Sequence, residues 1–192
     1  ECPAQLLRNL IHFASRDAMD IDGVGPAVMR QLIENGLVSN PADLYDLRAE
    51  QLADLERMGA KSAQNAVDAI AKSKENDLWR LIFALGIRQV GAKAAKILAA
   101  HFGSMEALRR ATAEELTQID DVGAVTADYI IRWMSSDQAA DLLERLKAAG
   151  VNMESRQELV DRRFAGMTFV LTGALSRFTR EEAGEMIEQR GG

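Results

Sequence analysis

Four short turns that end in glycine carry the clearest chemical pattern in this sequence. Each has the order apolar, variable, variable, apolar, glycine, and each precedes a stretch suited to a helix; the turns are 21–25, 55–59, 87–91 and 119–123. Glycine allows a positive φ and lets another molecule approach the backbone closely. The first N–H groups of a helix are unpaired and lie at its positive end. Each turn is therefore predicted to bind an anion such as a phosphate through backbone amides.

The residue two positions beyond the final glycine distinguishes the four turns. It is Ala27, Lys61, Lys93 and Val125 in chain order. We expect Lys61 and Lys93 to act alike, each adding a positive charge beside the bound phosphate. Pro26 lacks an N–H donor, so the second and third turns are predicted to bind phosphate most strongly. The full set of predicted phosphate-binding residues is Gly23, Gly25, Gly59, Lys61, Gly91, Lys93, Gly123 and Thr126.

The charge of the chain is unevenly distributed. The formal net charge of −6 is unlike that of most nucleic-acid-binding proteins. Residues 57–110, however, hold ten Lys or Arg against four Asp or Glu, a net +6, which leaves −12 for the remainder. Binding depends on where charges lie rather than on their sum, so a phosphate-binding function is not excluded. Because backbone amides do not distinguish bases, contact with a nucleic acid would be independent of sequence.

The turns recur at a regular spacing, which predicts a repetitive helical fold. Their final glycines are 34, 32 and 32 residues apart. A longer period of 64 residues relates Leu44 to Leu108 and Leu52 to Leu116, so the chain is predicted to contain two copies of a two-motif unit.

Predicted helix ends lie between the turns. Asn40, Ser104 and Thr112 are expected to cap helices at their N-termini, and a helix over 137–149 is expected to end at Gly150.

A tetratricopeptide array, which binds proteins, is an alternative explanation of a period near 34 residues. Such an array does not require a glycine turn in every unit. Its Trp-Leu-Gly-Tyr signature is also absent from this chain. The glycine turns therefore favour the phosphate-binding interpretation.

An apolar-variable-apolar-glycine turn followed by an Ala- and Lys-rich helix resembles the helix-hairpin-helix motif. Four such motifs in tandem resemble the (helix-hairpin-helix)₄ domain of bacterial NAD-dependent DNA ligases. This resemblance implies sequence-independent binding of duplex DNA through the minor groove, with paired motifs holding both strands at a nick. Another helix-hairpin-helix repair protein, such as an excision nuclease or a Holliday-junction-binding subunit, remains an alternative, although these usually carry one two-motif unit.

Both ends of the chain extend the resemblance. The sequence Cys2-Pro3-Ala4-Gln5 is similar to the last ligand of the zinc site that precedes the ligase hairpins. Structural zinc needs about four ligands, so Cys2 is expected to be an incomplete remnant of such a site. The β-prone run 164–173 and a helix over 180–190 resemble the start of a BRCT domain. Thr172 and Gly173 match phosphate-contacting positions of some BRCT domains, but a simple strand-to-helix turn is favoured for them.

The sequence thus predicts a mainly α chain with four parts. Residues 1–18 would be the zinc-finger tail and a connecting helix, 19–153 the (helix-hairpin-helix)₄ DNA-binding domain, 154–163 a linker, and 164–192 the strand-helix start of a BRCT α/β domain. The resemblance implies a parent ligase that uses NAD, zinc and magnesium to seal nicks in replication and repair. No Lys-x-Asp-Gly adenylation motif is present, so we expect no catalytic residue, no cofactor and no ligase activity in this fragment.

The compartment and partners follow from the rest of the composition. The single cysteine fits a reducing compartment, and no signal peptide or apolar run of roughly 20 residues is evident. We therefore expect a cytoplasmic monomer whose partner is nicked double-stranded DNA and which has no contact with a membrane.

Overall fold

The computed structural model describes residues 3–156, 167–171 and 179–188, and helices account for most of them. In chain order they are α1 Pro3–Ala14, α2 Pro26–Glu34, a 3₁₀ helix Pro41–Asp46, α3 Ala49–Ala53, α4 Ala60–Ser73, α5 Leu78–Ala84, α6 Ala92–Phe102, α7 Met105–Arg109, α8 Ala113–Thr117, α9 Ala124–Met134, α10 Asp137–Ala148 and α11 Arg180–Glu188.

The predicted repeat is present as four pairs of helices, each joined by one of the glycine turns. The pairs are α1 with α2, α3 with α4, α5 with α6, and α8 with α9. The apolar residues of the turns anchor them in the core: Ile87 and Val90, for example, are 3% and 6% exposed. The 3₁₀ helix and α7 occupy equivalent places in the two halves. The two-fold repetition of a two-motif unit is therefore confirmed.

The predicted helix caps are confirmed as well. The Asn40 side chain accepts a hydrogen bond from the Ala42 amide at 2.9 Å. Ser104 accepts one from Ala107 at 3.1 Å, and Thr112 forms a reciprocal capping box with Glu115. The helix α10 ends before Gly150, which has a φ of +87°. These local signals could be found in the sequence because capping depends on residues only a few positions apart.

The N-terminal boundary differs from the prediction, because α1 belongs to the hairpin domain. Leu10 and Phe13 are completely buried in the core that the other helices share. The His12 Nε2 atom lies 2.8 Å from the carbonyl oxygen of Phe83 in α5. The helix α1 is thus the first helix of the first motif, rather than a connecting segment that precedes the domain. Cys2 lies outside the described residues.

The C-terminal boundary also differs, because residues 154–156 are attached to the domain. The Ser155 amide donates a hydrogen bond to the Gly103 carbonyl at 2.8 Å. The Arg156 amide donates another to the Asp77 carboxylate at 2.7 Å. The predicted linker therefore cannot begin at residue 154. Hydrogen bonds donated by backbone amides leave no trace in the side-chain pattern from which the linker was inferred.

The predicted strand-helix piece near the C-terminus is described only in part. Residues 167–171 are irregular and pair with no strand among the described residues. The remainder of 164–173, including Thr172 and Gly173, lies outside them. The helix α11 is capped at its start, since Thr179 and Glu182 form a reciprocal capping box at 2.7 and 3.1 Å.

The end of the repeat is joined to its beginning by an ion pair. In α10, the Arg145 guanidinium lies 2.6 Å from the Asp43 carboxylate in the 3₁₀ helix. Burial alone would raise the pKa of Asp43, but hydrogen bonds from Arg145, Ser39 and Asn40 outweigh burial and lower it. The contact thus joins the second half of the domain to the first.

Candidate nucleic-acid interface

The four helices that follow the glycine turns begin without a side-chain cap. Their N-cap residues are Gly25, Gly59, Gly91 and Gly123, and none offers a side-chain acceptor. The first backbone bond into each helix is donated by the residue four positions beyond the glycine, as from Ala63 to Gly59 and from Ala95 to Gly91. The N–H groups that precede this bond in each first turn have no partner among the described residues. These amides are available to an external acceptor.

The other helices of the domain show that this lack of caps is selective. Five of them are capped by the side chains of Asn40, Asp77, Ser104, Thr112 and Ser136. The helix α3 is the exception, since its N-cap residue Arg48 accepts no hydrogen bond through its side chain. Glycine is the N-cap residue after each of the four turns.

The space in front of the four glycines is open. A Cβ atom built on Gly25, Gly59, Gly91 or Gly123 would meet no protein atom within 4 Å. All four residues are exposed. Internal packing therefore does not explain the absence of a side chain. The open space leaves room for an external group to approach the helix start closely.

The left-handed residue of each turn is not the final glycine, contrary to the expectation from sequence. Gly59 and Gly91 have φ values of −86° and −84°, which any residue can adopt. Positive φ occurs two positions earlier, at Gly23, Arg57, Gln89 and Asp121, with values of +86°, +62°, +67° and +65°. The chain reverses direction at this earlier residue, so the final glycine is free to take the extended conformation that starts a helix.

Gly23 has a structural role that distinguishes it from the other predicted phosphate-binding residues. A Cβ atom at Gly23 would lie 3.1 Å from the Cβ of Ala66 in α4. The first turn therefore packs against the second motif. The Gln31 side chain joins the same two motifs, because it accepts a hydrogen bond from the Glu56 amide at 2.7 Å. Sequence reasoning missed Gln31, and a lone glutamine gives no signal of such a role.

The third and fourth turns are joined by an ion pair instead. The Lys93 Nζ atom lies 2.7 Å from the Asp121 carboxylate. The hydrogen bond and the charge of Asp121 raise the pKa of Lys93. Lys61 is exposed and forms no ion pair within the described part of the chain. The two lysines therefore differ in their surroundings, which the sequence does not show, and their equal action on a phosphate stays a prediction.

The first and second turns form one pair, and the third and fourth turns form the other. Each pair contains one basic and one acidic turn. The second turn carries Arg57 and is followed by Lys61, and the third carries Arg88 and is followed by Lys93. The first carries Asp22, and the fourth carries two consecutive acids, Asp120 and Asp121.

Thr126 lies in the first turn of α9, where the structure places it half-buried beside the fourth glycine. Val125, in the position equivalent to the two lysines, is 65% exposed. The fourth turn therefore presents backbone amides and an apolar side chain, rather than a positive charge, to an external ligand.

The described residues offer neither a metal site nor a membrane-spanning helix. Within 3–156, 167–171 and 179–188, no group of three or more His, Cys, Asp or Glu side chains is arranged to hold a metal ion. No helix in these ranges has both the length and the apolar character needed to cross a bilayer.

Comparison with protein families identifies both halves of the domain. Residues 15–72 match the family described as a SAM-like helix-hairpin-helix tandem, and residues 80–143 match the helix-hairpin-helix motif family. The chain therefore contains tandem helix-hairpin-helix motifs, as the turns predicted. Neither match is to a tetratricopeptide array.

Comparison with curated proteins extends the similarity to the whole chain. The sequence is 52% identical over 192 residues to a protein named DNA ligase from Thermoanaerobacter pseudethanolicus. It is 53% identical over 196 residues to one from Anoxybacillus flavithermus and 52% identical over 191 residues to one from Carboxydothermus hydrogenoformans. In all three cases the alignment covers 100% of this chain and 29% of the relative. The resemblance to bacterial DNA ligases is thus confirmed, and the chain spans less than a third of the length of these relatives.

Proposed function

We propose, on the premise that this chain is homologous along its whole length to bacterial DNA ligases, that it is the part of such an enzyme that holds duplex DNA. The parent enzyme would seal nicks during replication and repair, and this part would keep the duplex in place while other domains act. The whole-length similarity favours this role over that of an excision nuclease or a junction-binding subunit.

The observation that supports the proposal best is the set of four exposed, uncapped glycine helix starts. Amides at such a start donate hydrogen bonds to phosphate oxygens, and the helix dipole favours the negative charge. Five other helices of the same domain are capped by side chains. The open space at the glycines lets a phosphate come close to the backbone.

The charge pattern supports a more specific arrangement on DNA. We propose that each pair of turns contacts one strand of the duplex. Because each pair has one basic member, the second and third turns would supply the strongest phosphate contacts of their pairs. Backbone amides and lysines do not discriminate between bases, so binding would be independent of sequence. Contact through the minor groove near a nick follows from the resemblance and belongs to this proposal.

Cofactor chemistry is proposed for the parent enzyme and not for this chain. The residues present do not fit a zinc site, since the chain has a single cysteine. They also lack the Lys-x-Asp-Gly motif that would accept adenylate from NAD. We therefore propose that NAD, zinc and magnesium are used elsewhere in the parent, and that the chain alone is an inactive monomer. Incubation with labelled NAD should leave its lysines unmodified.

The test of DNA holding is a salt titration with labelled duplexes of two unrelated sequences, each intact and nicked. Fluorescence anisotropy should give dissociation constants on the order of micromolar, equal for the two sequences. The affinity should fall as salt rises from about 50 to 200 mM, with a slope of about −0.9 for each phosphate neutralised. Affinity that is independent of salt, or that differs strongly between the two sequences, would overturn the proposal.

A further inference from the structure

The ion pair between the third and fourth turns occupies a side chain that the proposed function assigns to DNA. Lys93 stands in the first turn of α6, two residues beyond the uncapped Gly91. Its Nζ atom is 2.7 Å from the Asp121 carboxylate, and the two side chains are 82% and 44% exposed. An anionic oxygen at hydrogen-bond distance from Lys93 is also what a DNA phosphate would provide.

The corresponding positions in the first half of the domain do not form such a pair. Ala27 in the first half is equivalent to Lys93 in the second half. Likewise, Arg57 in the first half is equivalent to Asp121 in the second. Arg57 and Lys61 are exposed and form no ion pair within the described part of the chain. The first pair of turns therefore presents its cations directly, whereas in the second pair one acid neutralises one lysine.

We propose that Asp121 occupies Lys93 in the absence of DNA, and that a phosphate must displace this carboxylate for the third turn to bind. This inference rests on the proposed function, because it assigns DNA as the competing ligand. Asp121 would then lower the affinity of the second pair of turns and make it the weaker, more readily released contact.

The competition has a measurable electrostatic consequence. When a free lysine neutralises a phosphate, about 0.9 of a counterion is released from duplex DNA. When Lys93 exchanges a carboxylate for a phosphate, the freed Asp121 carboxylate draws a cation back towards the protein. The net release is smaller, so the ion pair should reduce both the affinity and its salt dependence.

The decisive variant is Asp121→Asn, which removes the charge and keeps the shape. Asparagine is among the residues that best tolerate the positive φ of +65° at this position. The matched control is Asp120→Asn, since Asp120 is the adjacent exposed acid and acts on Lys93 through its charge without a hydrogen bond. Both changes are combined with Lys93→Ala, and duplex affinity is measured by anisotropy from low to moderate salt.

We expect Asp121→Asn to raise the affinity about three- to tenfold at low salt and to steepen the salt slope by up to about 0.9. In the Lys93→Ala background its effect should shrink to that of Asp120→Asn, which should change less between the two backgrounds because Asp120 acts on Lys93 through its charge alone. Equal effects of Asp121→Asn with and without Lys93 would overturn the inference. They would show that Asp121 affects DNA binding only through the overall electrostatic field of the protein.

Two further results keep the test decisive. If Asp121→Asn does not fold, as judged by circular dichroism, Asp121→Gly replaces it, since the first turn has Gly23 at the equivalent position with a φ of +86°. If the unmodified chain and all variants fail to bind DNA, the proposed function itself fails. If all of them bind but residues 93 and 121 are not coupled, only the present inference fails.

Discussion

Replacing the turn glycines with serine should raise stability and lower DNA affinity at the same time. The backbone at Gly91, with φ −84° and ψ 177°, already resembles that of Thr112, with φ −87° and ψ 165°, which caps α8. The space in front of Gly91 is open, so a serine side chain fits without displacing its neighbours. Its hydroxyl would accept a hydrogen bond from one of the free amides that are proposed to hold phosphate.

The two effects can be estimated separately. Serine exceeds glycine as an N-cap by a few tenths of a kcal/mol, so Gly91→Ser should raise the melting temperature by about 1 °C. A hydrogen bond to a charged acceptor contributes about 1.5–3 kcal/mol, so loss of one amide contact and of close approach should reduce DNA affinity about tenfold or more. Gly59→Ser should behave in the same way, since Gly59 has φ −86° and ψ 162°.

The assay combines thermal unfolding followed by circular dichroism with anisotropy on a labelled duplex at low salt. The control is Ser104→Gly, which removes a cap from α7, a helix that follows none of the four turns. This variant should lose a few tenths of a kcal/mol of stability and retain its DNA affinity. If both serine variants bind DNA as well as the unmodified chain, the glycine helix starts do not hold phosphate and the binding surface lies elsewhere.

Three other expectations follow from the geometry. Lys61→Ala should flatten the salt slope of DNA binding by about 0.9. Lys93→Ala should flatten that slope less, because an ion pair already neutralises Lys93. Equal changes of the slope in the two variants would contradict the structure. Gly23→Ala places a Cβ atom 3.1 Å from α4 at a φ of +86°, so urea unfolding should show a loss of about 1–3 kcal/mol, whereas an unchanged midpoint would show that the turn shifts freely. Asp43→Asn weakens the contact with Arg145 and should lower the free energy of unfolding by about 1–2 kcal/mol at pH 7. Because the folded-state pKa of Asp43 lies below its ordinary value of 3.8, this stabilisation is present above that value and is lost as the pH falls through the folded pKa. Urea unfolding should therefore show the difference from the unmodified chain shrinking in acid, and a constant difference would mean that the charge of Asp43 does not matter.

The sequence by itself determined the features that depend on neighbouring residues. Helix starts at Asn40, Ser104 and Thr112 could be predicted because a cap and the amide that it serves are two or three positions apart. The four turns could be found because apolar anchors and a glycine recur at fixed intervals. The type of fold, the number of motifs and the basic second and third turns followed from these local patterns.

The conformation inside each turn was less accessible from the sequence. A glycine suggests positive φ, but in three of the four turns the left-handed position holds Arg57, Gln89 or Asp121. Their conformation is imposed by the buried apolar residues on either side, which fix where the chain must reverse. Tertiary anchoring therefore overrides the local preference of these side chains.

Only the tertiary structure decided which residues face one another across the motifs. The pairing of Lys93 with Asp121 spans 28 positions in sequence, and that of Arg145 with Asp43 spans 102. Nothing in the local pattern separates Lys61 from Lys93, which hold the same place in their own motifs. An ion pair forms only when its two charged groups lie within a few ångströms of each other. The distance between such groups is set by how the helix pairs pack. For this reason the sequence identified the groups that could bind phosphate, while the fold determined which of them are already occupied.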